Sequence, residues 1–122
     1  MSLTDIARSF GTTPSYVIQS WLRSHNAIEF LKLWEENNNP DFDIQGYNLL
    51  KEKIESSSFT LTAKQWVECT GAIGIQAKQG KGGGTFVHPD IAMDFHMWLS
   101  PELRLELIRL LRENGKELLC RS

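Results

Sequence analysis

The chain has 122 residues, 41% of them hydrophobic and 10% aromatic, and carries a formal net charge of −2. That length suits one domain, the apolar content excludes disorder by composition, and the slightly acidic balance excludes a protein that coats nucleic acid by bulk charge. A local basic patch stays open, because phosphate contacts need only a few well-placed cations.

In chain order, Leu3, Ile6, Ala7 and Phe10 fall at i, i+3, i+4 and i+7, so residues 3–10 read as a short amphipathic helix. Ser2 and Asp5 resemble a capping box at its start, with Asp in the usual Glu position, and Gly11 stops it. Thr13 caps a second helix that opens at Pro14, and Val17, Ile18, Trp21 and Leu22 form its buried face. A third helix is expected over residues 26–37, with Ala27, Phe30, Leu31 and Trp34 as its stripe. "NNNPDFD" is a loop. Tyr47, Leu50 and Ile54 at helical spacing make residues 46–56 a helix.

Thr62 starts another helix that ends at Gly71. "AIGIQAK" and "GTFVH" are short, β-rich and joined by glycines, which predicts a hairpin. Pro89 opens the next helix, with Ile91, Ala92, Phe95, Trp98 and Leu99 as a core face. Ser100-Pro101-Glu102 starts the last one, marked by Leu103, Leu107, Leu110 and Leu111. Leu105 and Ile108 widen its apolar band, which predicts burial on more than one side, and Gly115 weakens its end. Trp34, Trp66 and Trp98 each sit on an apolar stripe and are expected in the core.

Two features suggest a nucleic-acid partner. A helix-turn-helix needs a small residue where its helices cross, a residue tolerant of left-handed backbone in the turn, and an apolar anchor on the second helix. Ala7, Gly11 and Val17 have that spacing. The outward face of the second helix is then Ser15, Tyr16, Gln19, Ser20 and Arg23, side chains able to bond base edges or phosphates. A helical hairpin with a solvated face has the same pattern.

The second feature is the glycine loop, in which Lys78, Gln79, Lys81, Gly82, Gly83 and Gly84 form a positive tip with no acid between Cys69 and Pro89. It is not a phosphate-binding Walker loop, since Gly82 follows Gly80-Lys81 where Ser or Thr is needed. Glycine at a hairpin tip lets backbone N–H groups approach an anion. It also serves a plain solvent-exposed turn.

Other chemistry finds little support. Cys69 and Cys120 make neither a disulfide framework nor a zinc site, and free thiols in a cytoplasmic setting are expected. No apolar run reaches the roughly 18 residues that span a bilayer, and the polar first residues do not resemble a signal peptide. His88 reads as a cap, while Asp94 and His96, two residues apart, point to different sides of a helix. No nucleophile has a placed base, so neither catalysis nor a metal or other cofactor is expected. A nucleic-acid enzyme would require His88 and Asp94 to meet in a cleft.

Taken together, "SLTDIARSFG", "VIQSWLRSHNAIEFLKLWE" and "FTLTAKQWVECTGAIGIQAKQGKGGGTFVHPDIAMDFHMWLSPELRLELI" resemble the KilA-N domain family from about Ser2 to Arg112. The Trp-Leu-Arg, the Gly-Gly-Thr-aromatic-x-His-Pro-x-Ile-Ala segment and the Trp-Leu-Ser-Pro-Glu carry the likeness, in that order. The resemblance implies a mostly helical α+β domain, winged-helix-like and related to the APSES domain, that binds double-stranded DNA in phage-derived or bacterial regulators. It maps the helix-turn-helix to residues 3–23 and the wing to residues 75–87.

Relatives carry a strand or hairpin before the segment matching "SLTDIA" and run on past the end, so residues 1–122 are expected to be one domain excised from a longer protein, its sheet short of a strand. Glu29, Glu35, Glu36, Asp41, Asp43, Glu52 and Glu55 would repel phosphate if they shared a face with the wing. That acidity and the leucine-rich last helix leave a rival reading. In it the chain is a protein-interaction module of an antirepressor-type regulator that dimerises or docks a partner through its C-terminal helix, using Leu103, Leu107, Leu110, Leu111 and Leu118.

Overall fold

The first helix begins where Ser2 Oγ accepts the Asp5 N–H at 3.1 Å, and it ends in a turn at Gly11, whose φ of 71° suits glycine. Asp5 does not complete a capping box, since its carboxylate reaches forward to Arg8. The computed structural model describes residues 1–56 and 59–114. Among these, α1 (Leu3–Ser9), α2 (Pro14–Leu22), α3 (His25–Asn38), α4 (Ile44–Glu55) and α5 (Ala63–Thr70) precede an antiparallel hairpin, β1 (Ile75–Lys78) and β2 (Gly84–Val87). After the hairpin come α6 (Pro89–Leu99) and α7 (Pro101–Asn114). The described residues thus form an α+β fold of seven helices and one small sheet. Gly115, Leu118 and Cys120 lie outside them.

Local chemistry explains most boundaries. α4 begins earlier than its apolar spacing suggests because Asp43 Oδ1 accepts the Gly46 N–H at 3.0 Å. α5 has a complete capping box between Thr62 and Gln65 and closes on Gly71 in left-handed backbone. The His88 Nδ1 accepts the Asp90 N–H at 3.1 Å and caps α6, the role its place before Pro89 predicts.

One core joins the elements. Leu3, Ala7, Trp21, Leu22, Leu31, Leu61, Trp66, Ile75, Ile91 and Phe95 are buried within a single cluster. Each large apolar side chain removed from water contributes about 1.5–3 kcal/mol before entropy is counted. Trp66 meets Tyr47 edge-on with ring centroids 6.0 Å apart, and among the described residues its indole Nε1 has no hydrogen-bond partner, a cost inside that cluster. α1 is the hub: it packs on α2, β2 and α6.

The strands pair Ile75 with Val87 and Lys78 with Gly84. The outer edge of β2 is also covered. Val87 exchanges backbone bonds with Met1, Ser2 bridges Phe86, and the Thr85 N–H donates to Thr4 Oγ1 at 3.1 Å. This leaves little open edge for another chain.

Two expectations fail. Trp98 is 41% exposed, because α6 turns it away from the core to stack on Phe95. α7 has no buried residue: its main neighbour is α6 on one side, so Leu105, Ile108, Leu110 and Leu111 face water instead of a second layer.

Glu35 is fully buried at the root of the hairpin. Its carboxylate accepts from Ile73 N at 3.0 Å, Gly74 N at 2.8 Å and Asn39 Nδ2 at 2.9 Å. A Cβ on Gly74 would lie 2.9 Å from Glu35 Oε2 and 2.8 Å from the Trp34 ring, so only glycine fits there. Glu35→Ala is expected to lower stability by about 3 kcal/mol, since it orphans the buried Gly74 N–H and the part-buried Ile73 N–H, and Glu35→Gln by less, since one acceptor oxygen remains. Urea denaturation measures both, and equal midpoints for Glu35→Ala and the parent chain would refute the anchoring role.

Candidate nucleic-acid interface

α2 is held from beneath. Ile18, Trp21 and Leu22 are buried, and Val17 packs against the core at its edge. The Trp21 ring meets Phe95 edge-on at 5.3 Å, and its Nε1 donates to Asp94 Oδ2 at 3.0 Å, tying α2 to α6. At the turn, Thr12 Oγ1 and the Thr12 N–H both donate to the Ala7 carbonyl. The carbonyl of the fully buried Ala7 thus ties the turn between α1 and α2.

The opposite side of α2 carries the expected polar row. Ser15, Tyr16 and Arg23 are exposed, Tyr16 to 71%, while Gln19 and Ser20 are half-buried. Among the described residues none of these five side chains makes an internal hydrogen bond or ion pair. The first turn of α2 has no acid to oppose an anion.

The hairpin groups the other expected residues. Lys78 lies diagonal to Phe86 on the same face, its Nζ 5.2 Å from the ring centroid. Lys81 sits at the exposed tip between Gly80 and Gly82, whose φ values of 86° and 76° call for glycine. The Gly83 N–H donates to the Gly80 carbonyl at 2.9 Å, so it is used inside the loop rather than offered outward. Gly84 abuts Thr4 of α1. Gln79 departs from its neighbours, lining a cleft against Lys64, Val67 and Glu68 of α5. Neither Lys78 nor Lys81 has a carboxylate partner among the described residues.

Two of the seven acids from Glu29 to Glu55 are used internally, while Glu36, Asp41, Asp43, Glu52 and Glu55 are exposed. Glu35 is buried under the hairpin. Glu29 accepts from Tyr47 Oη at 2.6 Å and from Lys51 Nζ at 3.1 Å. The Tyr47 bond, then Lys51, hold its carboxyl below the usual range.

His88 and Asp94 stay apart in function. His88 caps α6 and packs its ring on Trp34 at 5.0 Å, and Trp34 Nε1 donates to Asp90 at 3.0 Å. Asp94 lines a different cleft of about 220 Å³ with Trp21, Ser24, Trp98 and Arg104, and His88 is not among its walls.

Motifs give Thr4 no role, mark Glu35 only as an acid that could repel phosphate, and mark Asp94 only as a possible partner of His88; the anchoring roles of all three come from the fold. Both acids had a signal: Glu35 follows Ala27 and Leu31 at steps of four, and Asp94 follows Ile91 by three, so each stands on an apolar stripe.

Burial pushes the Asp94 carboxyl above its ordinary range, and the Trp21 bond offsets part of that rise. Folding therefore favours the protonated form. The contribution is fully present below the unfolded pKa and is lost as the pH rises through the folded value. Asp94→Asn keeps an oxygen for Trp21 without that loss. It is expected to match or exceed the parent chain at neutral pH, with the difference shrinking in acid; thermal melts at both pH values measure it, and a variant destabilised equally at both would refute the assignment.

The KilA-N domain family model matches residues 1–117, and the chain belongs to that family, which is generally one of DNA-binding domains. No curated protein and no solved structure matches the chain. No described helix is long and apolar enough to cross a membrane.

Proposed function

We propose that this KilA-N domain binds duplex DNA, with α1 and α2 as a helix-turn-helix and the β1–β2 hairpin as a wing, in a phage-derived or bacterial regulator. The observation that carries the reading is the pairing of a polar row on α2 with a cationic glycine tip, both held by α1 and both with side chains that have no internal hydrogen-bond or ion-pair partners among the described residues. Ser15, Gln19 and Arg23 enter the major groove, where amide and guanidinium groups can read base edges, and Tyr16 flanks them. Lys78 and Lys81 contact phosphate, assisted by backbone at Gly82 and Gly84. Gly83 shapes the tip, and Gln79 takes the edge nearest α5.

Each phosphate contact should add about 0.9 to the salt slope. With roughly three to five contacts, a lone copy binds in the micromolar range or weaker, the scale of non-specific complexes. The first test is fluorescence anisotropy on a random-sequence duplex at several salt concentrations. Absence of binding at low salt and tens of micromolar protein would overturn the reading.

Two substitutions separate the roles. Lys78→Ala with Lys81→Ala should weaken binding on every sequence and flatten the salt slope by about 2, and a parent-like slope would remove the hairpin from the interface. Gln19→Ala should leave the slope in place but change preference in a site selection by about 1–3 kcal/mol at one base pair. An unchanged preference would remove α2 from base reading.

A further inference from the structure

α7 leans on α6 with Leu103 and Leu107 half-buried and nothing on its far side among the described residues. Leu105, Ile108 and Leu111 stand 51%, 49% and 59% exposed. Scattered surface leucines need no explanation, but these are sorted. At about 100° per residue, Leu105, Ile108 and Leu111 share an arc of roughly 160° with all three arginines of the helix, Arg104, Arg109 and Arg112. Glu102, Glu106 and Glu113 gather within about 40° just beyond Arg109, at one border of that arc. Arg104 and Arg112 have no carboxylate partner among the described residues, and Arg109 reaches only Glu106, one turn back, at 3.3 Å. Arg104 also forms one wall of the 220 Å³ cleft beside Trp98, so the apolar surface runs from α7 onto an indole ring that is 41% exposed.

We propose that this arginine–leucine face, continued onto Trp98, docks an acidic amphipathic helix of a partner protein. An amphipathic helix laid along such a surface offers apolar anchors at i, i+3, i+4 and i+7. The partner's leucines meet Leu105, Ile108, Leu111 and Trp98, and its carboxylates meet three guanidinium forks, the geometry in which arginine binds carboxylate best. A second copy of the same face would set Leu105, Ile108 and Leu111 against themselves but offer Arg104 and Arg112 no carboxylate from within that arc. A duplex would satisfy the arginines and leave the leucines against sugar and phosphate. Ion pairs on the rim contribute little each, so the apolar contacts carry affinity and the arginines choose the sign of the partner.

The test uses the full chain labelled with nitrogen-15 and a synthetic helical peptide of about 18 residues, roughly five turns, with leucines at those four spacings and glutamates elsewhere. Shifts are expected at Leu105, Ile108, Leu111 and the Trp98 indole. The same peptide with lysines in place of glutamates should bind at least about tenfold more weakly. Arg104→Glu with Arg109→Glu and Arg112→Glu, and separately Leu105→Ser with Ile108→Ser, should each weaken the glutamate peptide by about tenfold or more. None of these side chains is buried, so the melting temperature should not move.

The proposal is overturned if the glutamate peptide causes no shifts up to millimolar concentration, if both peptides bind alike, or if the shifts map elsewhere. It is also overturned if the arginine variant loses random-duplex binding and its salt slope, which gives the face to DNA. Self-association abolished by Leu105→Ser with Ile108→Ser, seen by sedimentation, would give it to a second copy.

Discussion

The hairpin owes its direction to a buried carboxylate. Among the described residues Glu35 has no cation partner; three N–H donors from Asn39, Ile73 and Gly74 surround it. Leaving water is costly for a carboxylate unless its lone pairs are filled, and here two of the three donors, Ile73 and Gly74, immediately precede β1, while Asn39 caps the end of α3. The bond therefore does two things at once: it satisfies the acid and fixes the point where the chain leaves α3's flank for the hairpin. Gly74 has no room for a side chain because Glu35, Trp34 and Ile91 already close around it. Asn39, which holds Glu35, also donates to the Gly71 carbonyl at 3.0 Å, so the end of α5 is tied into the same arrangement.

A second acid does a parallel job at the other end of the site. Asp94 accepts from Trp21 and fastens α2 to α6. α1 lies between the two anchored parts, its Thr4 hydroxyl accepting from β2 and its Ala7 carbonyl accepting from the turn before α2. α2 and the hairpin thus reach solvent on rigid supports while their outward polar groups remain unbonded. A pre-ordered surface loses less conformational entropy when it meets a partner, which favours the DNA-binding reading for so small a domain.

Net charge describes this chain poorly. A balance of −2 hides acids that are used internally, as Glu29 is by Tyr47 and Lys51, and cations that are not. On α7, Arg104 and Arg112 stand with the exposed leucines away from the glutamates, while Arg109 borders them and pairs with Glu106. Two surfaces of unlike composition, a polar-cationic one at α2 and the hairpin and an apolar-cationic one at α7, suit two classes of partner.

The sequence by itself determined the helices, the hairpin and some of the caps, though Thr13 makes no side-chain cap bond and Asp5 completes no capping box. These depend on neighbours a few residues apart: Ser2 with Asp5, Thr62 with Gln65, His88 before Pro89, and the positive-φ glycines at Gly11, Gly80 and Gly82. It also determined the KilA-N resemblance, which rests on ordered motifs. Tertiary structure decided which apolar and charged residues the core would take. Trp98 and Leu105 have the spacing of core residues and lie outside, because no element packs over them. Glu35 sits in the acidic run "WEENNN" and lies inside, because backbone donors from residues 73 and 74 meet it there. Periodicity states which side of a helix is alike; only the fold supplies what stands against that side, and burial depends on the neighbour as much as on the stripe.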